Sequence, residues 1–446
     1  MQKKKRLFLC LTMSLLLLAL PACSGSSGNT KSAGAPKKSN GNTTKAKSND
    51  KVKIEFWMLP VADESIMQNM VDEFNTDSTD VNVNMTLLDW SSGREQIKQG
   101  VAAGSGPDVF YLGAGLTADY INGDLLLPLK KAGYTADDIE MYGPLIEASC
   151  VDGELYAAPI VYDTYILYYR TDILKEYGFD APPSTWEEMK DMAKKITEDS
   201  GGKIMGYQHK GADDQLNAIN YTWQTLLQQN GGNLMDLDNM KSTENTPEAV
   251  EALEYLASYY KENISKMGTS ANNGFREGKV AMFTFTQGPI TTEGYVDDAN
   301  MKGKWAIAQL PTGKNGNSGH LDGHAVCVNA KTKHPKEAGQ FVKSFTGPGN
   351  VAKWMGGYYG IQPYDLNKID AGDKAAIEKV INSAPELWNP IIDQGNVCSP
   401  DFMIQTRYGY TARWDGQKRL IIAALNGEMT PQEALKQLDT EIDQAL

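Results

Sequence analysis

From Val52 onward the chain alternates between two hydrophobic periods. Val52, Ile54 and Phe56 are separated by Lys53 and Glu55 and followed by Trp57 and Met58, a period-two run that predicts a strand. Ile66, Met70, Val71 and Phe74 share one face of a helix over about 65–75. Val81, Val83, Met85 and Leu87 return to period two, and a helix over about 92–103 ends at Gly104-Ser105-Gly106-Pro107. Asp108 to Leu112 reads as a third strand. Strand, helix, strand, helix, strand predicts an α/β protein with a mostly parallel sheet wrapped by helices.

The pattern continues to the last residues. Glu154–Pro159 and Tyr165–Arg170 are strand-like. Pro183 to Glu188 opens a helix, with Thr185 and Glu188 spaced as a capping box, and Trp186, Met189, Ala193 and Ile196 then share a face. Thr246-Pro247 begins another helix with proline at its first position. Residues 280–285, 305–310 and 324–329 are further strands, and 335–345 is a helix. Thr430 to Glu433 caps a final helix carrying Ala434, Leu435, Leu438 and Ile442.

The first fifty residues are built differently. Lys3, Lys4, Lys5 and Arg6 precede an apolar run, Leu7–Leu20, too short to span a bilayer comfortably. Leu20-Pro21-Ala22-Cys23 resembles a bacterial lipobox. That resemblance implies removal of a signal peptide over 1–22 and diacylglycerol on the Cys23 thiol; the alternative is ordinary cleavage near Ala22. Ser24–Asp50 holds no large apolar side chain, so 23–50 is expected to be a lipidated cysteine and a disordered linker. Such a linker spans on the order of 30 Å. One acyl chain anchors only marginally, so permanence needs two or three.

Charge narrows the partners. The chain carries −13 overall, but residues 1–50 hold nine Lys/Arg against Asp50, so the remainder carries −21. A body this acidic argues against nucleic acid or anionic lipid as its partner. Of five cysteines, Cys150, Cys327 and Cys398 lie beyond the signal and anchor, without metal-like spacing. At most one disulfide forms among them, and buried free thiols are the default.

Several segments, read in order, resemble the ABC-importer extracellular solute-binding proteins of family 1, the sugar-binding group. They are Ile54–Trp57, Ala103–Val109, Asp152–Pro159, Leu167–Leu174, Phe275–Met282 and Met429–Leu435, covering about Lys51 to the end. Arg170 stands where many relatives carry Asn, a scaffold position. The resemblance implies a two-lobed periplasmic-binding-protein-like fold of type II. Each lobe would be a mostly parallel sheet flanked by helices, with the ligand cleft at the hinge. Crossings are expected near Tyr162–Tyr165, Gly319–Gly323 and Phe345–Gly349. The first lobe would combine 51–162 with 320–346, and the second 163–319 with 347–446. It also implies a monomer, tethered outside the cell membrane through Cys23, that captures a carbohydrate, an oligosaccharide, and delivers it to an ABC permease without catalysis, cofactor or metal.

A pyranose has apolar C–H faces and a hydroxyl rim, so its cleft needs aromatic platforms with carboxylate, amide and Arg partners. Candidate platforms are Trp57, Tyr162, Tyr221, Trp223, Trp354, Tyr358, Tyr359 and Trp388; candidate polar partners are Asp108, Asp163, Gln287, Asp322 and Arg407. The family favours positions just after a strand, which implies Trp57 and Leu59, Gly113 and Ala114, Tyr162 and Asp163, and Gln287. Met355–Gly360, rich in Gly and aromatics, reads as a ligand loop on the second lobe. For Trp57 and Trp223 the competing role is core packing, and for Asp108 it is bracing the Pro107-Asp108 turn. Rival functions are a polyamine or other small-solute binder of the same architecture, an exported glycoside-acting enzyme, and a sensory lipoprotein. His320 and His324, with Asp322 between, have metal-like spacing but sit where a strand opens, so they need not share a face.

Overall fold

The computed structural model describes residues 51–113, 117–211 and 218–446. The expected signal peptide, Cys23, the linker and Ala114 lie outside the described residues. The chain runs through β1 (Val52–Met58), α1 (Glu64–Asp77), β2 (Val81–Leu87), α2 (Gly93–Ala103) and β3 (Val109–Gly113). After short helices and a small hairpin come β4 (Ala157–Thr164) and β5 (Ile166–Arg170), then α3 (Trp186–Asp199), α4 (Ala218–Gln229) and α5 (Pro247–Lys261). β6 (Met282–Phe285), β7 (Trp305–Ala308) and β8 (Leu321–Val328) follow. The chain then continues as α6 (Pro335–Thr346), α7 (Pro348–Tyr358), α8 (Ala371–Ser383) and α9 (Pro385–Val397), and closes with α10 (Tyr410–Leu425) and α11 (Pro431–Asp443).

The first sheet has the order β2-β1-β3-β8-β4. β1 runs parallel to β2 and β3, whereas β8 is antiparallel to both its neighbours. The second sheet, β6-β5-β7, is antiparallel throughout, which corrects the expectation of a mostly parallel sheet in each lobe. The reason lies in the crossings. β5 continues from β4 across the single residue Tyr165 and leads away from the boundary, while β6 and β7 both run back toward it.

Three aromatic rings hold the first core together: Phe56 of β1 lies 5.1 Å from Phe341 and 5.0 Å from Phe345. Val351, Trp354, Met355 and Tyr358 of α7 enter the same core, as do Ile377 and Trp388. The chain therefore does not cross at 345–349, and residues 347–397 do not belong wholly to the second lobe as expected. The Trp354 indole N–H donates to the Phe345 carbonyl at 3.1 Å and folds α7 back on α6. The crossing runs instead along α9, where Trp388 packs in the first core and Ile391 packs with Ile166 and Phe283 in the second.

The helices α4, α5, α10 and α11 share a further core in the second lobe, built on Trp223, Leu253, Leu420 and Leu435. Buried Glu244 ties it together, accepting from Trp223 Nε1 at 2.8 Å, Arg413 Nε at 2.7 Å and Gln417 Nε2. Local capping follows the sequence signals with one variation. Thr430 and Glu433 form a reciprocal capping box. Thr185 caps α3, but the Glu188 carboxylate accepts from the Ser184 amide at 2.8 Å instead of from Thr185. Cys150, Cys327 and Cys398 are free thiols. Among the described residues no helix is long and apolar enough to cross a membrane.

Candidate functional site

A cavity of about 560 Å³ opens between the two sheets where the chain crosses. The first lobe lines it with Pro60, Val61, Trp90, Ser91, Arg94 and Tyr111, and with Asp163, Asp322, His324 and Tyr358. The second contributes Ala218 and Tyr221 of α4, Phe285, Thr286 and Gly288 at and just after the end of β6, Thr292, Glu293, and Trp414 of α10, while His320 sits on the crossing itself. In open α/β sheets the carboxyl ends of strands face the binding crevice. β1, β3, β4 and β6 obey that rule. β8, running the other way, brings its first residues to the same edge.

One wall is set by a turn. The Asp89 carboxylate accepts from the amides of Ser91 (2.9 Å) and Ser92 (3.0 Å), and the Ser91 and Ser92 hydroxyls hold it down to about 2. This turn presents Trp90, 41% exposed, edge-on to Tyr111 with ring centroids 5.7 Å apart. Arg94, one turn later, places its guanidinium 5.4 Å from the Trp90 ring. Its Nε is buried and has no hydrogen-bond partner among the described residues.

The floor is made by β4 and β8. Asp163 and Asp322 are direct cross-strand partners. Tyr358 donates to Asp163 Oδ2 at 3.0 Å, and the Tyr111 hydroxyl is 2.8 Å from His324 Nδ1. His324 Nε2 lies 3.1 Å from Asp163 Oδ2 but off the line a hydrogen bond needs, so it and Asp163 Oδ1 are both left without a hydrogen bond among the described residues. Asp322 accepts from the Gly323 amide at 2.8 Å and from the Tyr221 hydroxyl at 3.4 Å. Burial pushes its carboxyl up against the pull of the Gly323 amide, and nearby Asp163 adds to the rise.

The opposite wall is aromatic. The rings of Tyr221 and His320 lie 4.2 Å apart, and Trp414 meets Tyr221 edge-on at 5.2 Å. Burial drives His320 down to about 3, so its imidazole is neutral, and its Nε2 is a fourth buried atom without a partner among the described residues.

Of the residues expected at the site, the fold brings Asp163, Tyr221, Asp322 and Tyr358 to this cavity. The others lie elsewhere. Trp57 covers α2, where a Cβ on Gly100 would fall 2.9 Å from its ring. Asp108 braces its turn, accepting from the Glu55 amide (3.1 Å) and the Thr332 hydroxyl (2.6 Å). Gly113 pairs with His324 inside the sheet. Tyr162 is buried behind the crossing strands with Leu321, Cys398 and Met403. Trp223 is core, its N–H on Glu244. Trp354 is core as well, and Trp388 stacks on Tyr359 at 4.8 Å. Gln287 is fully buried just before Gly288, its amide atoms without partners among the described residues. Arg407 donates to the carbonyls of Cys150 (2.6 Å) and Glu147 (3.0 Å), away from the cavity. The Met355–Gly360 stretch is mostly the last turn of α7, not a loop, because its apolar residues repeat at helical spacing. Trp90, Arg94, Tyr111, His320, His324, Glu293 and Trp414 were absent from the expected site. The after-strand rule that favoured Asp163 reaches Trp90; nothing in the linear pattern reaches Trp414. Among the described residues no group of three His, Cys, Asp or Glu is placed to hold a metal.

The family model for bacterial extracellular solute-binding proteins matches residues 60–352. A probable ABC transporter-binding protein of Deinococcus radiodurans is 31% identical over 242 residues, which cover 50% of this chain and 55% of that protein. The chain thus spans about half the length of that relative. The maltodextrin-binding protein of Bacillus subtilis is 25% identical over 96% of this chain and 94% of its own length. Among solved structures, an ABC substrate-binding protein from Listeria monocytogenes in complex with cycloalternan superposes with a TM-score of 0.74. The match covers 89% of this chain and 99% of that one at 19% identity, a likeness of fold: two lobes in the type II arrangement.

Proposed function

Because the chain belongs to the bacterial extracellular solute-binding proteins, we propose that it captures a carbohydrate in the cleft between its lobes and hands it to an ABC permease, acting by binding and not by catalysis. The observation that carries this reading is an aromatic-walled cavity lined by Arg94, Asp163, His320 and His324, four polar residues that each keep a buried polar atom unpaired. Arg94 Nε, Asp163 Oδ1, His320 Nε2 and His324 Nε2 have no hydrogen-bond partner among the described residues. A buried polar group left unpaired costs about 1–3 kcal/mol, so closure of the lobes around a polar ligand that brings partners to these residues is favoured. Sugar hydroxyls both donate and accept, and their C–H faces suit Trp90, Tyr221 and Trp414. The cavity volume falls in the range of ordinary small-molecule sites. The near full-length match to a maltodextrin-binding relative supports the same reading.

On this reading Cys23 carries the lipid and 24–50 is the tether, so Cys23→Ala releases the protein from membranes into the medium. A thermal-shift panel of mono- and oligosaccharides tests the ligand class. A ligand at a hundred times its Kd stabilises the native state by about 2.7 kcal/mol. No shift from any sugar defeats the proposal. The acidic floor favours a second reading, a polyamine, whose binding weakens with salt more steeply than that of a neutral sugar.

A further inference from the structure

Both strands of the first sheet that meet at the crossings carry an aspartate where they face the cleft. Asp163 is the penultimate residue of β4 and Asp322 the second of β8, and they stand directly opposite one another. Like charges in that relation are unfavourable in a sheet. Asp163 lines the cavity and is only 5% exposed, and its buried Oδ1 has no hydrogen-bond partner among the described residues. Glu293 adds a third carboxylate to the lining, and Arg94 is the cation that faces them. His320 is neutral, and among the described residues His324 and the phenols of Tyr111, Tyr221, Tyr358 and Tyr410 also stand around the floor. Among the described residues the lining thus holds three carboxylates and one guanidinium, between walls of indole and phenol rings whose π faces attract cations.

A purely cationic ligand does not satisfy this site. An ammonium group has donors and no acceptor. Arg94 Nε is itself a donor, buried and unpaired among the described residues, so it requires an acceptor from the ligand and repels a second positive charge near it. The floor favours a cation, and the Trp90–Arg94 wall favours a hydrogen-bond acceptor, which on the carbohydrate reading is a hydroxyl. Only a molecule with both features meets both demands.

We propose that the ligand is a glycan bearing a free, protonated amine, with the ammonium seated between Asp163 and Asp322 and its hydroxyls turned to Arg94 and the two histidines. This rests on the carbohydrate reading and narrows it. The ammonium separates the opposed carboxylates, the imidazole nitrogens take hydroxyl partners, and a sugar face lies against Tyr221 or Trp414.

The test is calorimetric titration of the mature chain, at a pH where the amine is protonated, with four probes: a glucosamine oligosaccharide, its N-acetylated counterpart, a gluco-oligosaccharide of equal length, and spermidine. The free-amine glycan is expected to bind at least ~10-fold tighter than either neutral glycan, about 1.4 kcal/mol, with the preference shrinking as salt rises. In Asp322→Asn the preference, taken as the ratio of the two affinities within the variant, is expected to fall below about threefold, and its thermal unfolding midpoint reports that it folds. Equal affinity of the wild type for amine and neutral glycans, or preference for the N-acetylated one, overturns the inference and leaves the carbohydrate reading standing. Binding of spermidine with no glycan binding, or silence from every glycan, overturns both. The wild-type comparison decides the matter even if the variant does not fold.

Discussion

Trp57 and Trp90 both stand near the end of a strand in the first sheet, yet only Trp90 reaches the cavity. Trp57 lies within β1, on the face opposite Phe56, and is covered by α2 at Gly100. Trp90 lies beyond β2, turned inward by the hydrogen bonds that Asp89 accepts from the residues after it. The two indoles therefore separate stability from capture. On the proposed carbohydrate reading, Trp90→Ala is expected to weaken ligand binding by about 10-fold, the value of one aromatic contact, with the unfolding midpoint in urea nearly unchanged. Trp57→Ala is expected to cost about 2–3 kcal/mol of stability as a truncated, half-buried aromatic, with the dissociation constant unchanged. The reverse pattern would exchange their roles. Asp163 and Asp322 were legible in the sequence because short polar residues at strand ends have few places to go. His320 and His324 stand out for their spacing and are set aside as a metal pair, since spacing alone does not say that they approach one cavity from the crossing and from the strand. Trp414 and Glu293 were not legible at all, because their reach depends on how a helix of one lobe is set against a sheet of the other.

The element that spacing most misled was α7. Gly356 and Gly357 in a run of aromatics imitate a loop, but Val351, Trp354, Met355 and Tyr358 keep three- and four-residue intervals. Gly357 answers to packing: a Cβ there would fall 2.9 Å from Ile66 Cδ1 on α1. The helices of the second lobe depend on a different device. Glu244, with no exposed surface, joins α4 to α10 through Trp223, Arg413 and Gln417. Breaking a buried ion pair from one side strands the other charge, so Glu244→Gln is expected to destabilise the protein by about 3–5 kcal/mol in urea unfolding. Beside it on α11, Asp439 accepts from Ser242 Oγ at 2.6 Å and the Glu244 amide at 2.9 Å. Burial raises its carboxyl to about 6 against the Ser242 hydrogen bond, and nearby Glu244 adds to the rise. The folded state therefore holds this proton more tightly than the unfolded chain does. The associated stability is complete below the ordinary carboxylate range and is lost as pH rises through about 6. Asp439→Asn is expected to flatten that loss, which unfolding curves across the interval would reveal; an unchanged pH profile would remove Asp439 as its source.

At the scale of the molecule, contacts that join the lobes directly differ in kind. Arg407 grips two carbonyls of the first lobe through both its terminal nitrogens. Thr411, at the start of α10, makes a single hydrogen bond to Asp119 Oδ2 at 3.0 Å. The first is multivalent and partly buried, and the second exposed and easily broken. Thr411→Val is expected to raise the ligand dissociation rate about two- to fivefold, the worth of one exposed hydrogen bond, with the melting temperature of the unliganded protein unchanged. Stopped-flow displacement measures it, and an unaltered rate would show that Thr411 does not hold the lobes together. The α/β class was legible because alternating strands and helices restrict the chain to few architectures, and the two lobes came from the resemblance to the solute-binding family. The third crossing was not, because it occurs inside α9, where no break in the hydrophobic period marks the change of partner.

The place of β8 in the first sheet bears on time as well as on shape. It fills the gap between β3 and β4, yet it leaves the ribosome roughly 160 residues after β4 is complete. At about 5–20 residues per second, two neighbouring strands wait on the order of 10–30 s with open edges before the strand that joins them exists. The first lobe is thus completed long after it is begun. A chain ending before β8 is expected to remain unfolded in that half, with its amides exchanging freely. The nascent protein consequently stays pliable through most of its synthesis and acquires rigidity almost all at once.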